Sequence, residues 1–419
     1  MKLQLCRACG AMFIMLPLAI VALFLFGQAL SFNCGIFREF QEALLSARLA
    51  LLAWLVVWCG TSIFLKFSRN DLLLIGLLFI GMSVYLISYA ATSRAVDAII
   101  LLAGVMLGKS AFALLRRDER GTNAANLTCH LSFFTFLVGL VGLLAFSSWW
   151  HLEPTGVYRG SRWMGLWDNP NIYGMLMGAG MALAIGLLAA NAKFKIQKPK
   201  ANWLLGIAVF MLGVGLVMSY SRGAWLGAAI GLLYLAWSYG KLKWRYVLTV
   251  VAVAAAMAWY LWGSTPDSAP WYVKRADLGR PSAQNRATAW RAGLEIMRDY
   301  PLDVGWNNAV KIYERKYSPP EGGPGALTTN DYLMLGTELG IAALLCFVTY
   351  CVLCLRGKCR IDNEEGRIQA ACRAGAIVLL VAFWFDGGLF KLATASVFWV
   401  LLELGASNLM ADKKPLTPP

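Results

Sequence analysis

The sequence predicts an all-α polytopic membrane protein with about 12 transmembrane helices and one large, partly helical outward loop. Three observations carry this: the apolar bulk of the composition, the recurrence of apolar windows of spanning length, and the alternating charge of the loops between them. Of the 419 residues, 59% are hydrophobic and 15% charged, and the mean hydropathy is +0.59. Soluble domains carry about a quarter charged residues, so this composition fits lipid as solvent.

Apolar windows of roughly 17–25 residues fall near 11–29, 49–65, 72–91, 95–115, 127–149, 172–190, 203–220, 224–239, 246–262, 332–354, 374–389 and 394–410. The first run lacks a small-residue cleavage site, so it reads as a helix that stays. An even number of spans puts both termini on one side. Lys2 and Arg7 precede the first span, and Lys413 and Lys414 follow the last. Every second short loop between them is basic: Lys66/Arg69, Arg116/Arg117/Arg120, Lys193/Lys195/Lys198/Lys200, Lys241/Lys243/Arg245, and Arg356/Lys358/Arg360/Arg367. The positive-inside rule then predicts cytoplasmic termini. The organisation that follows is spans one to nine over 1–262 with an outward loop near 150–171, a large outward loop over 263–331, three further spans over 332–410, and a tail over 411–419.

The net charge of +15 is accounted for by these loops. With no basic segment interleaved with aromatics, a nucleic-acid partner is excluded from the reading. Most of the ten cysteines lie inside apolar runs and read as small hydrophobes, and only Cys34 falls in an outward loop. The pairs Cys6/Cys9 and Cys351/Cys354 lack a second pair or a histidine at zinc spacing, so neither a metal nor a disulfide framework is expected.

The arginines outside the basic loops concentrate on the outward side. Arg159 and Arg162 sit in GVYRGSRWMGLWDNPN, and Arg222 stands in the short connection SYSRGAW beside Ser219 and Ser221. An anion site facing a cavity and an interfacial arginine reaching headgroups are both open for Arg222. The stretch SAQNRATAWRAGLEIMRDYP reads as a helix stopped by Pro301, with Arg286, Trp290, Gly293 and Met297 on one face and Arg291 and Arg298 together on another. An arginine on a buried stripe needs an anionic partner: a ligand, or a carboxylate such as Asp277 or Asp303. Lys109 and Glu403 fall near cytoplasmic ends of spans, where they pair or snorkel. Glu338 and Asp386 are intramembrane carboxylates near the outer face, open to function or to helix–helix hydrogen bonds.

Several outward arginines above a lipid-embedded body suit a lipid-linked pyrophosphate, whose oxygens guanidinium forks bind in bidentate fashion. Arginines fixed in advance would also stabilise charge growing on a departing pyrophosphate. The first outward loop offers only Glu39 and Glu42 and no DxD, which favours metal-independent chemistry without a cofactor.

Four patterns, RWMGLWDNPN (162–171), SYSRGAW around Arg222, RATAWRAGLEIMRDYPLDVGW from Arg286 and TNDYLMLGTELG (329–340), come in the order and topological setting of a known family. The chain resembles the O-antigen ligase and O-antigen polymerase superfamily of bacterial envelope glycosyltransferases along nearly its whole length. The resemblance implies a GT-C-like, multi-pass inner-membrane protein with a periplasmic active face. It implies an undecaprenyl-pyrophosphate-linked glycan as donor and a lipid A–core sugar or a second lipid-linked glycan as acceptor. By resemblance Arg222 and Arg286 hold the donor, with Arg162 as a weaker carry-over; Arg159, Asn171, Asn330 and Glu338 are further candidate substrate contacts. The family's fourth pattern opens with His-Asn, its histidine acting as base, whereas this chain has Thr329-Asn330. A threonine hydroxyl is no general base at neutral pH, so Asp331 or Glu338 is the expected substitute, with Asp331 favoured by its place just beyond the missing histidine. His130 lies inside a span, and His151 stands at the outer end of the same helix. A flippase or transporter is the competing class, but no internal repeat is visible and the charges gather at the outer surface rather than at midplane. A non-catalytic glycan-binding protein is the third.

Overall fold

A computed structural model describes residues 70–87, 97, 100–102, 104–106, 108–109, 131–132, 135–136, 139, 158–159, 162–165, 167, 169–194, 199–240, 281–318, 327, 329–357, 359 and 361–406. The spans expected near 11–29, 49–65 and 246–262 lie outside the described residues, as do Cys34, His130, His151 and Asp277. The described elements are helical apart from one two-residue ladder. In chain order they are α1 (Asp71–Ile87), β1 (Tyr158–Arg159), β2 (Arg162–Trp163), α2 (Pro170–Phe194), α3 (Pro199–Met218), α4 (Arg222–Ser238), α5 (Pro281–Asp299), α6 (Ala309–Ile312), a π-helical turn (Tyr313–Tyr317), α7 (Asp331–Glu338), α8 (Gly340–Arg356), α9 (Glu364–Ala382) and α10 (Leu392–Gly405).

Helix starts follow local chemistry. Pro170, Pro199 and Pro281 occupy first helical positions, where a missing N–H costs nothing. Ser221, Asn330 and Asn363 cap α4, α7 and α9 through side-chain oxygens that accept from the first turn.

Among the described residues, α2 is long and apolar enough to cross a membrane over Pro170–Lys193, with mean hydropathy 1.9. Four shorter apolar helices cover Asp71–Gly81, Asn202–Met218, Gly340–Arg356 and Ala393–Gly405. Trp203, Ile207 and Phe210 of α3 and Leu345 and Val352 of α8 are exposed, as helix faces turned to lipid would be.

The central packing joins α9 to α2, α4 and α10, and small residues make it possible. On α4 a Cβ at Gly227 would stand 2.5 Å from Val378 O, and one at Gly231 would stand 2.6 Å from Val378 Cγ2. A Cβ at Gly186 of α2 would stand 2.5 Å from Ala371 Cβ of α9. Backbones this close gain dispersion contacts in an environment where lipid offers no hydrophobic drive between helices.

The span expected over 332–354 is broken. It forms α7 and α8 with a bend at Leu339–Gly340, where Gly340 has φ +87°. The segment after α5 fills the bend: Val304 N donates to Thr337 O (3.0 Å) and Ile341 N to Pro301 O (3.1 Å). Trp306 Nε1 reaches Gly81 O on α1 at 3.0 Å, tying this segment to the helical body.

Charges inside the body are paired. Lys109 bonds Asp71 and lies 3.0 Å from Glu403, which also accepts from the Tyr350 hydroxyl. Arg373, 2% exposed, donates to Gly405 O (2.6 Å), Leu355 O (3.0 Å) and Gly357 O. It thereby satisfies carbonyls at the ends of α8 and α10 with a cation, as helix C-termini favour.

Candidate functional site

The end of the bundle opposite Arg373 collects the conspicuous arginines. The β1–β2 ladder pairs Arg159 with Arg162. Trp163, Met164 and Trp167 behind it are buried, and the Trp167 ring meets Tyr173 of α2 at 5.6 Å. The aromatics of RWMGLW therefore anchor the hairpin to α2 and leave Arg162 at its edge.

Arg162 Nε donates to Ser219 O at 2.8 Å, and its Nη2 bonds Asn171 Oδ1. Ser219 belongs to the tight turn between α3 and α4. Tyr220 takes a left-handed backbone there (φ 47°), an unusual conformation for a bulky residue that is held by its surroundings. Ser221 N donates to Ser219 Oγ (3.2 Å), and Trp225 Nε1 donates to Leu216 O (2.8 Å). A Cβ at Gly174 would stand 2.6 Å from Ser219 Oγ, so only glycine lets α2 approach this turn. The turn ends at Arg222, the first residue of α4.

Arg286 arrives from α5. Ala289, Gly293, Ile296 and Met297 are buried on the inward face, while Arg291 and Arg298 point outward. Trp290 packs against Trp384 (5.8 Å) and Phe385 (6.2 Å), and Phe385 Cβ lies 2.8 Å from where a Gly223 Cβ would be. These contacts set α5 and the head of α4 on either side of the turn that follows α9.

That turn carries Asp386, 8% exposed. Arg286 Nη2 lies 3.5 Å from Asp386 Oδ1. The Asn171 side chain hydrogen-bonds the same carboxylate, and the guanidiniums of Arg162 and Arg222 act on it electrostatically. Four of the residues singled out from sequence therefore gather around one carboxylate, paired with Arg286 and read from sequence only as an intramembrane charge. Of the partners considered for Arg286, Asp277 lies outside the described residues, and Asp386 takes the place that Asp303 was expected to have. A charged residue in WFDGGLF, where glycines end an apolar run, was the available signal.

The other expected residues stand further off. Asn330 Oδ1 accepts from Tyr332 N and Leu333 N, both at 3.0 Å, and so caps α7. Asp331 is 1% exposed, and its Oδ2 accepts from Gly388 N (2.7 Å) and Leu389 N (2.8 Å) on the far side of the Asp386 turn. Glu338 is buried at the other end of α7, about 10 Å along the axis from Asp331. Outside the helical body, Tyr317 bonds Asp299, and that bond pushes the Tyr317 phenol up to about 12. Among the described residues no group of three His, Cys, Asp or Glu side chains is placed to hold a metal ion.

The arginines around Asp386 thus stand beside a buried Asn-Asp at the start of α7. Residues 207–348 match the family model for O-antigen ligase. The O-antigen ligase match contains Arg222, Arg286, Asn330, Asp331 and Glu338, while Arg162, Asn171 and Asp386 complete the site from outside it. It supports the O-antigen ligase and polymerase superfamily that the sequence resembles, a family of membrane proteins with glycosyltransferase-like activity on lipid-linked glycans. No curated protein and no solved structure matches the chain.

Proposed function

We propose that this protein moves a glycan from a polyprenyl (undecaprenyl) pyrophosphate carrier to an acceptor hydroxyl at the periplasmic face of the bacterial inner membrane. The reading is of O-antigen ligase type, metal-independent, with cytoplasmic termini. The observation that carries it is the pairing of Arg286 with Asp386, beside Arg162 bonded to Asn171 and with Arg162 and Arg222 near enough to act on the same carboxylate electrostatically. Guanidinium and amide donors that hold a carboxylate also suit the oxygens of a pyrophosphate, because both present paired anionic acceptors to the same forks.

In the reaction the acceptor oxygen bonds to the anomeric carbon, and the bond from that carbon to the pyrophosphate oxygen breaks. The pyrophosphate carrier leaves with the bonding pair. Negative charge grows on the leaving group, and each charge-assisted hydrogen bond from an arginine is worth about 1.5–3 kcal/mol there. Arg162 is fixed by Ser219 O and Asn171 and Arg286 by the packing of α5, so these two need little reorganisation as charge develops. The acceptor proton needs a base; the sequence-based expectation is Asp331, but Asp386 is the carboxylate that faces the arginines and takes this role in the reading.

The test is purified protein in lipid with an undecaprenyl-pyrophosphate glycan and a lipid A–core acceptor, in the presence of EDTA. Glycan on the acceptor with release of the carrier is expected, and both slow about 10- to 150-fold in Arg222→Ala. Intact donor crossing the bilayer with no bond cleaved would refute transfer in favour of a flippase. With a second lipid-linked glycan as acceptor, chain growth in place of ligation would identify a polymerase.

A further inference from the structure

The turn that presents Asp386 is short, and Asp331 holds it on both sides. The Asp331 backbone N–H donates to Phe383 O at 3.0 Å, and its Oδ2 takes the N–H groups of Gly388 and Leu389 at 2.7 and 2.8 Å. Asp386 stands between those attachments, with its own N–H bonded to Ala382 O at 3.0 Å. The surroundings are tight: a Cβ at Gly388 would stand 2.7 Å from Phe383 Cε1 and 2.9 Å from Met175 Sδ. Asp331 itself is fixed in place, because its neighbour Asn330 caps the helix that Asp331 begins.

A carboxylate oxygen that accepts two backbone N–H groups at these lengths is committed to holding them. A general base must instead come within about 2.6–3.2 Å of the proton it takes. Asp331, 1% exposed, turns its Oδ2 to the backbone of the turn and keeps its Oδ1 buried without a hydrogen-bond partner, whereas Asp386 is turned to the arginines.

We propose that Asp331 is a positioning residue that acts on the reaction through Asp386, by fixing the 383–389 turn, without touching substrate. The inference rests on the transfer reading for what Asp386 and the arginines do. It separates from a base at Asp331 because asparagine keeps an acceptor oxygen for the two N–H groups but has no basic oxygen, while alanine has neither.

The test uses the full chain reconstituted in lipid. Asp331→Asn is expected to keep transfer within about fivefold of the wild type, and Asp331→Ala to fall about 100-fold in kcat/KM, the scale of an ångström-level misplacement. The double variant Asp331→Ala/Asp386→Ala is expected to lose no more than Asp386→Ala alone, since one residue works through the other. Hydrogen exchange in the 383–391 peptide should rise in Asp331→Ala and stay protected in Asp331→Asn. The proposal is overturned by an Asp331→Asn protein as inactive as Asp331→Ala, by losses that multiply in the double variant, or by unchanged exchange in Asp331→Ala. If Asp331→Ala does not fold, Asp331→Asn decides: transfer kept with the peptide protected supports the proposal, and transfer lost with the peptide protected overturns it. A wild type that transfers nothing, with a 383–391 peptide that still loosens in Asp331→Ala, would sink the transfer reading and leave the clamp standing.

Discussion

Replacing Gly340 with alanine should be among the most damaging single-methyl changes in the chain. Gly340 has φ +87°, and a Cβ there would overlap the Leu302 carbonyl oxygen, 2.5 Å from its carbon and 3.2 Å from Pro301 O. Those are backbone atoms, so no side chain can swing aside. A left-handed backbone costs an L-residue roughly 1–2 kcal/mol. Relieving the overlap means parting the 301–304 segment from the α7–α8 bend. That breaks Val304 N→Thr337 O and Ile341 N→Pro301 O, each worth about 1 kcal/mol. The sum is about 3–4 kcal/mol, or about 10 °C in melting temperature on the scale of a sizeable domain. The assay heats detergent-solubilised protein and scores the monodisperse fraction by size-exclusion chromatography. Gly206→Ala is the control, because nothing lies within 4 Å of its Cβ position in α3; there alanine should be neutral or stabilising by up to about 1 kcal/mol. If Gly340→Ala melts with Gly206→Ala, the bend is not set by this contact and the reasoning fails.

Arg222→Ala and Arg286→Ala should each lower kcat/KM for glycan transfer by about 10- to 150-fold, the equivalent of one charge-assisted bond. Lysine at either position should restore only part, lacking the bidentate fork; radiolabelled transfer measures both, and wild-type rates in either alanine variant would remove that arginine from the site. Gly227→Val should push α4 off α9 at Val378 O and so shift Arg222 from Asp386. Transfer should fall about 100-fold with the protein still membrane-inserted, as flotation of the reconstituted chain would check. Lys109→Met leaves Asp71 and Glu403 without their cation and should cost about 3–5 kcal/mol of stability. Lys109→Met/Glu403→Gln should recover part of that melting temperature, and equal melting of the two variants would contradict pairing as the cause.

Much of the site was legible one residue at a time. Arg222 stood out because a guanidinium in a very short connection between apolar runs is costly without a use. Arg286 stood out because helical spacing puts it on the same face as Trp290, Gly293 and Met297, and those residues do turn inward. Asp386 was visible as a charge but not as a partner, since nothing near it in the chain names Arg162, Arg222 or Arg286. Arg373, at the edge of an apolar run, was not singled out from sequence, yet it is buried on the carbonyls of two helix ends. The bend inside the window 332–354 was hidden because Leu339 and Ile341 keep the run apolar across Gly340.

What the sequence by itself determined is a vocabulary: apolar helices with proline or capped starts, basic clusters between apolar runs, and a small set of arginines that burial would make expensive. These are local properties, written in hydropathy, spacing and side-chain chemistry over a few residues. Only the tertiary structure decided which charges meet. That depends on how closely helices distant in sequence approach, and the approach is set by missing side chains. Gly174 lets α2 reach the Ser219 turn, Gly223 admits Phe385 beside Asp386, and Gly227 lets α4 lie on Val378. A glycine in an apolar run says only that a neighbour can come near; the packed backbone shows which neighbour came.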